Sequence, residues 1–339
     1  MTEWALSAIV PTHNRAPLLP DVLASLATQQ FPSNRWELIV VDDGSTDGTA
    51  DVVGRFAKDA PMRVAFIRQR NSGAGAARNA GAAIAAGRRL LFLDDDMIAA
   101  GALVGEHARY ADDPGTSVIG RITVPPARRN PWTAWEDSQL TKLAAELAAG
   151  RAPGPRDFNS GNCSLPSELF HAVGGFAVTL ARGEDFKLGY RLAGQGSRFA
   201  YNERALCTHL GSHAYAVWAT NAEAFGRSEI ALQEGVAPTA LAEEAAGWYR
   251  QRNILNRVAV RLASGNAALR RPAAACIGAV GRAAHHLGAR ALANAAYSAV
   301  YNILYWHGLI DSVGSDRFWP AVQRTALAER NPEQGAACR

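Results

Sequence analysis

Sulfur is scarce in this chain: four cysteines, Cys163, Cys207, Cys276 and Cys338, in 339 residues. None stands in a CxxC or other ligand-like spacing, which excludes a disulfide scaffold and a thiolate metal site and predicts reduced thiols. Long apolar runs are missing too. The nearest candidate, residues 291–305, is broken by Asn294 and Asn302 and falls short of the ~20 apolar residues a bilayer span requires. The opening Met1-Thr2-Glu3-Trp4 carries an acid and no basic cluster, so neither a signal nor a transit peptide is expected and the reading is cytoplasmic. Lysine is absent from residues 240–339, where twelve arginines against six acids give +6, while residues 1–239 sum to −2. That asymmetry suits an anionic partner such as a lipid surface or a carrier phosphate, giving peripheral contact with the inner face of a membrane. Solvated helix faces explain such asymmetry at least as often, and of binding a lipid-linked or polyanionic acceptor, a homodimer contact and completion of the acceptor domain, the last is the favoured role for this tail. Nucleic acid is not among the expected partners.

What is abundant is core material. Hydrophobic residues make up 48% and charged residues 19%, enough for one large or two ordinary globular domains. The first hundred residues alternate apolar runs with helical periodicity. Strands are predicted at 6–10, stopped by Pro11, at 37–41, at 64–67 and at 90–93. Helices are predicted at 18–30, at 47–58 with Ser45 or Thr46 as cap, and at 74–86. Such alternation predicts a parallel sheet with helices on both faces, and ligands at the carboxyl ends of the strands. Three of those ends carry polar clusters, Thr12-His13-Asn14, Asp42-Asp43 and Asp94-Asp95-Asp96, expected to converge on one crevice. Residues 120–165 are Pro-bounded around a helix near 134–149, as a mobile loop or an ordered insertion would be. In residues 248–262, Trp248, Leu255, Val258 and Leu262 share one helical face and Arg250, Arg257 and Arg261 another; packing on the chain itself is expected.

The acidic cluster closing Leu90-Leu91-Phe92-Leu93 carries the chemistry. Consecutive carboxylates at the end of a buried strand repel one another unless a cation compensates them, and hard oxygen ligands favour Mg²⁺ or Mn²⁺ carrying nucleotide phosphates. Strand alternation makes Asp94 and Asp96 the natural pair. Asp42 and Asp43 read either as acceptors for a base or ribose or as helix-capping acids. The segment from Asn71 to Asn79 enters a helix through Gly73 and Gly75, so its N–H groups and Arg78 face a diphosphate, or Arg78 serves a structural ion pair. Glu184 and Asp185 begin a helix at its positive end. His209 follows a short apolar run, where a lone histidine is commonly structural.

Together these residues resemble family 2 glycosyltransferases of GT-A fold. The resemblance runs through Ile9-Val10-Pro11-Thr12-His13-Asn14, Val40-Val41-Asp42-Asp43-Gly44-Ser45-Thr46-Asp47, the Gly73–Asn79 turn, Phe92-Leu93-Asp94-Asp95-Asp96, Gly174-Gly175-Phe176, Glu184-Asp185 and His209. It implies an α/β GT-A Rossmann-like, mostly parallel sheet over residues 1–215, with a nucleotide-binding half (1–100), an acceptor-binding half (101–215) and a helical C-terminal region (216–339). It further implies an inverting transfer from a nucleotide-sugar donor, a UDP-sugar by resemblance, to an acceptor hydroxyl that remains unidentified. Pro11, Thr12, Asn14 and Asp43 line the nucleotide pocket by this reading, with Arg78, Asp94 and Asp95 nearby. Asp96 and His209 hold Mn²⁺ or Mg²⁺, with His213 a less favoured substitute. Asp185 is the general base and Glu184 its acceptor-binding neighbour. Three competitors remain. A phosphohydrolase would want Thr or Ser where Met97 follows the acids, a sugar nucleotidyltransferase would want a Gly-rich basic signature at the first strand, and a non-catalytic nucleotide-sugar-binding scaffold would not need Asp96, Asp185 and His209 together.

Overall fold

The structure, a computed structural model, describes residues 4–126, 130–180, 182–211, 213–231, 237–264 and 267–330. Two compact units emerge, one from residues 1–129, 136–179 and 184–212, the other from 130–135, 180–183 and 213–339.

Among the described residues the first unit is built on eight strands: β1 Leu6–Thr12, β2 Trp36–Asp42, β3 Arg63–Arg68, β4 Arg89–Leu93, β5 Met97–Ala99, β6 Thr116–Thr123, β7 Asn162–Pro166 and β8 Arg198–His209. Its helices are α1 Leu19–Ala27, α2 Thr49–Asp59, α3 Ala74–Ile84, α4 Leu103–Ala108, α5 Pro131–Ala148, α6 Ser167–Ala172 and α7 Glu184–Gly194; the start of α5 belongs to the second unit. Strand order is β3-β2-β1-β4-β7-β6-β8-β5. The β3-β2-β1-β4 half is parallel, and β7 enters antiparallel to both β4 and β6. This is the expected mostly parallel α/β sheet of a GT-A fold.

The central strands read as unbroken apolar runs because both of their faces are covered. Leu6, Ala8 and Val10 of β1, Leu38 and Val40 of β2, and Leu91 and Leu93 of β4 feed one core. The alternate residues Ile9, Ile39, Val41, Leu90 and Phe92 feed the other. Pro11 does not end β1, which continues to Thr12 in register with Asp42. Helix α3 lies so close to this second face that a Cβ at Gly81 would stand 2.6 Å from Ile9 Cγ2, which accounts for its Ala- and Gly-rich sequence. The cap of α2 differs from expectation: the helix starts at Thr49 with Gly48, not Ser45 or Thr46, at the N-cap and no side-chain cap bond, while Asp47 Oδ1 in the preceding turn accepts from Thr49 N at 3.0 Å.

In the second unit the described helices are α8 Tyr215–Ala231, α9 Pro238–Arg250, α10 Ile254–Ser264, α11 Ala267–His286, α12 Arg290–Val313 and α13 Ser315–Arg330. Aromatic residues fill its cores: Trp135, Trp218 and Tyr297 in one, Tyr249, Trp306 and Phe318 in the other. Here one expectation fails. The face of α10 that packs inward carries Val260 and Ala263, while Leu255, Val258 and Leu262 point outward. Among the described residues no helix is long and apolar enough to cross a membrane. Cys163, Cys207 and Cys276 are free thiols; Cys338 lies outside the described residues.

Candidate active site

Parallel strands end side by side, so the loops leaving β1, β2 and β4 meet. The β1 and β2 loops are stitched together by Asn14, which adopts a left-handed backbone (φ 53°). Its N–H donates to Ser45 Oγ at 2.8 Å and its Oδ1 accepts from Thr46 N at 2.8 Å. Pro11 and Thr12 are buried at the end of β1. Asp43, 4% exposed, accepts at Oδ1 from Gln69 Nε2 (2.7 Å) and Ser72 N (2.8 Å), and at Oδ2 from Gly73 N (2.8 Å). The N–H groups expected to face a diphosphate are therefore partly spent on Asp43, which anchors the entry to α3. A carboxylate has about four acceptor positions, so Asp43 Oδ2 keeps capacity for one more donor.

The three aspartates after β4 diverge in a way strand alternation does not foresee. β4 ends at Leu93 and the chain turns through 94–96 before β5, so the expected Asp94–Asp96 pair does not form. Asp94 Oδ1 instead accepts from Arg78 at 2.6 Å. Asp95 and Asp96 turn to the Arg15 guanidinium, with Asp95 Oδ1 3.4 Å from Nε and Asp96 Oδ2 3.8 Å from an Nη. Burial pushes the Asp95 carboxyl up to about 6, against the pull of Arg15. Arg15 is a site residue that sequence reasoning missed; its place one residue beyond the Thr12-His13-Asn14 cluster was the available signal.

Asp96 has a second partner from the far side of the sheet. β5 pairs with β8 so that Met97 stands opposite His209, which brings His209 Nε2 to 3.3 Å from Asp96 Oδ2. Burial alone would lower the imidazole and raise the carboxyl. The hydrogen bond and opposite charges outweigh it, so His209 titrates above its usual value and Asp96 below. Gly211 keeps the space against this pair free of a side chain: a Cβ there would collide with it, at 2.5 Å from Asp96 Oδ2 and 2.6 Å from His209 Nε2. A carboxylate oxygen and an imidazole nitrogen beside such a cradle suit Mn²⁺ or Mg²⁺, with coordination left over for phosphate and water. Among the described residues no group of three or more His, Cys, Asp or Glu forms a complete metal cage. His213 falls in the second unit, where its carbonyl accepts from Trp132 Nε1 at 2.8 Å.

Helix α3 ties this half to α7. Arg78, 4% exposed, donates to Asp94 and, at 3.1 Å, to Glu184 Oε1, and its guanidinium lies 5.3 Å from the Phe176 ring centroid. Of the two sequence readings of Arg78, the coordinates favour the structural ion pair. Asn79 next to it holds the Gly174-Gly175-Phe176 turn through both backbone groups of Phe176, each at 2.9 Å. Asp185 follows Glu184 at the start of α7 and accepts from Phe186 N at 2.9 Å. Burial first, then the Glu184 charge, push its carboxyl up to about 7, with that hydrogen bond and Arg78 opposing. A carboxyl at this value is poised to exchange protons near neutral pH. A further network that the sequence did not reveal braces β7: buried Asn162 donates to the Arg121 and Ala205 carbonyls (3.0 and 2.9 Å) and its Oδ1 lies 3.0 Å from His107 Nε2. Burial lowers His107 to about 4, so it is neutral there.

Comparison with known proteins gives this constellation a family. Validoxylamine A glucosyltransferase of Streptomyces hygroscopicus subsp. jinggangensis is 33% identical over 223 residues, 56% of this chain and 52% of that protein. The chain spans about half the length of the curated relatives it matches. Among solved structures, the mannosyltransferase PcManGT from Pyrobaculum calidifontis, in complex with GDP-Man and Mn²⁺, superposes with a TM-score of 0.58 at 22% identity over 93% of this chain and 87% of that one. S. aureus TarS 1–349 in complex with UDP superposes with a TM-score of 0.51 at 17% identity over 95% and 91%. At these identities the likeness is one of fold. The family model for glycosyl transferase family 2 matches residues 7–179, slightly more than half of the chain, and the chain belongs to that family.

Proposed function

We propose that this chain transfers a sugar from a nucleoside diphosphate sugar, with UDP as the favoured nucleotide, to an acceptor hydroxyl, inverting the anomeric carbon in a single displacement. The observation that carries this reading is the Asp94–Arg78–Glu184 chain of ion pairs, which sets a carboxyl raised to about 7, Asp185, beside a strand-end acidic cluster. Donor side and proton acceptor are thereby held in one frame. A glucosyltransferase relative supports a hexose donor, and the neighbours holding GDP-Man with Mn²⁺ and UDP support a nucleotide sugar with a divalent ion.

Pro11, Thr12, Asn14 and Asp43 form the nucleotide pocket in this reading, with Asp43 Oδ2 as the acceptor for the base. Asp94 and Asp95 lie along the ribose and diphosphate. Asp96 and His209 would hold a divalent ion, which neutralises charge on the departing diphosphate. Asp185 removes the proton of the acceptor hydroxyl as that oxygen attacks the anomeric carbon, and Glu184, fixed by Arg78, positions the acceptor. A direct displacement of this kind needs a base on one side of the sugar and charge neutralisation on the other. A cytoplasmic location accords with a nucleotide-sugar donor.

A panel of UDP-, GDP- and dTDP-sugars incubated with the chain and Mn²⁺ tests the reading. Release of free nucleotide, accelerated by an acceptor and abolished in Asp185→Asn, is expected. Nucleotide binding without turnover across the panel, or unchanged turnover in Asp185→Asn, would overturn it.

A further inference from the structure

Helix α10 is inside out for a helix of a self-contained bundle. Its buried face is small, with Val260 and Ala263 at 1% and 4% exposure, while Ile254, Leu255, Val258 and Leu262 are 61%, 78%, 48% and 67% exposed. At about 100° per residue these four side chains fall within an arc of about 100°, opposite the packed face. Four large apolar residues on one solvent-facing stripe are an interaction site rather than scattered surface leucines. Arg257 and Arg261 border the stripe, and Arg261 is propped over the Trp319 ring at 4.1 Å from its centroid. The surrounding sequence is of one sign. From Ala245 through Ile310 there are eight arginines and no aspartate or glutamate.

We propose that α10 is an interfacial helix that seats its apolar stripe among the acyl chains of an anionic membrane surface, with the bordering arginines on the headgroups. An outward apolar arc edged by arginine is what binding in the plane of an interface requires. No described helix can cross the bilayer, so the contact is peripheral. Charge decides between this occupant and a second copy of the chain. Self-pairing through α10 would bring like-charged arginines together on a segment without a carboxylate to separate them, whereas anionic lipid offers Arg257 and Arg261 beside the stripe an opposite charge. Lipid seating stands separately from sugar transfer, because vesicle sedimentation reads no turnover.

The test uses the full chain and extruded vesicles of phosphatidylcholine, alone or with roughly 30% phosphatidylglycerol. Sedimentation with the anionic vesicles only, weakened in about 0.5 M NaCl, is expected. Leu255→Ser with Leu262→Ser should lower the vesicle-bound fraction at least ~tenfold, with melting temperature unchanged because both side chains are exposed. Arg261→Gln should produce a smaller loss and a weaker salt dependence. Absence of sedimentation with anionic vesicles would overturn the proposal, as would equal binding to neutral vesicles or full binding by the double serine variant. Failure to bind vesicles together with a dimer that the double variant converts to monomer would assign the stripe to a second copy instead.

Discussion

Arg78 donates to Asp94 across 2.6 Å from inside the protein, its side chain 5% exposed, and its other arm reaches Glu184. One guanidinium thus joins the end of β4 to the start of α7, which sequence alone separates by about ninety residues. Breaking a buried ion pair by removing one partner costs about 3–5 kcal/mol, because the remaining charges lose their compensation. Arg78→Met should therefore lower the urea midpoint severely. Arg78→Lys keeps the charge but offers a point donor in place of a planar fork. It should fold, lose one of the two contacts, and show a kcat/KM reduced by about 10–100-fold with a smaller change in nucleotide affinity.

Asp185 gives a pH prediction of definite sign. As the proposed base it must be ionised, so kcat/KM should rise with pH through about 7 and level off above it. In Asp185→Asn the limb should vanish and kcat should fall about 10²–10⁴-fold, while nucleotide binding by calorimetry stays intact. Stability runs the other way. A folded-state pKa raised above the ordinary carboxyl value of 3.8 means that the folded protein binds the proton more tightly, so the carboxyl destabilises the fold increasingly as pH rises from about 4 to 7. Asp185→Asn should match the native melting temperature near pH 4 and exceed it at pH 8.

Gly211 is the sharper probe of cation binding than either proposed ligand, Asp96 or His209. Its φ lies outside the left-handed region, so Gly211→Ala costs no backbone strain, but the methyl carbon would stand 2.5 Å from Asp96 Oδ2 and 2.6 Å from His209 Nε2 and force that pair to shift. Mn²⁺ binding in the presence of UDP should weaken at least ~tenfold, a change of about 1.4 kcal/mol, with far-UV circular dichroism unchanged. His209→Ala should lose a comparable amount. Full Mn²⁺-dependent activity in both variants would remove Asp96 and His209 from the cation site.

The central strands and the start of α7 were legible because local pattern dictates them: an apolar run in β4 buried on both faces, and Glu184-Asp185 at a helix N-terminus. The direction of each strand-end carboxylate was not. Asp94 and Asp96 alternate only if the strand continues, and the turn after Leu93 sends Asp94 to Arg78 and Asp96 to His209, partners that only the β5–β8 pairing and the packing of α3 supply. Arg15 escaped notice for the same reason, since its carboxylates lie eighty residues away in sequence. On α10 the 3.6-residue period correctly marks an apolar face, but a period says nothing about which face the rest of the chain covers. Val260 and Ala263 decided that outcome.

Asn79 shows how a residue without chemistry of its own conditions the site. Its amide clasps the N–H and C=O of Phe176, both at 2.9 Å, and so fixes the glycine turn whose aromatic ring lies beside Arg78. Asn79→Ala leaves a donor and an acceptor unsatisfied in a half-buried turn, at a cost of about 2 kcal/mol, measurable as a lower urea midpoint. Asn79→Asp keeps the acceptor for Phe176 N but sets a second oxygen against Phe176 O, so it should recover little of that loss. The displaced ring would loosen Arg78 and, through it, Glu184. Activity should then fall through kcat rather than through the KM for the nucleotide sugar, whose proposed pocket residue Asp43 is held by Gln69, Ser72 and Gly73 instead. An equal rise in donor KM would mean that the turn supports the nucleotide side after all.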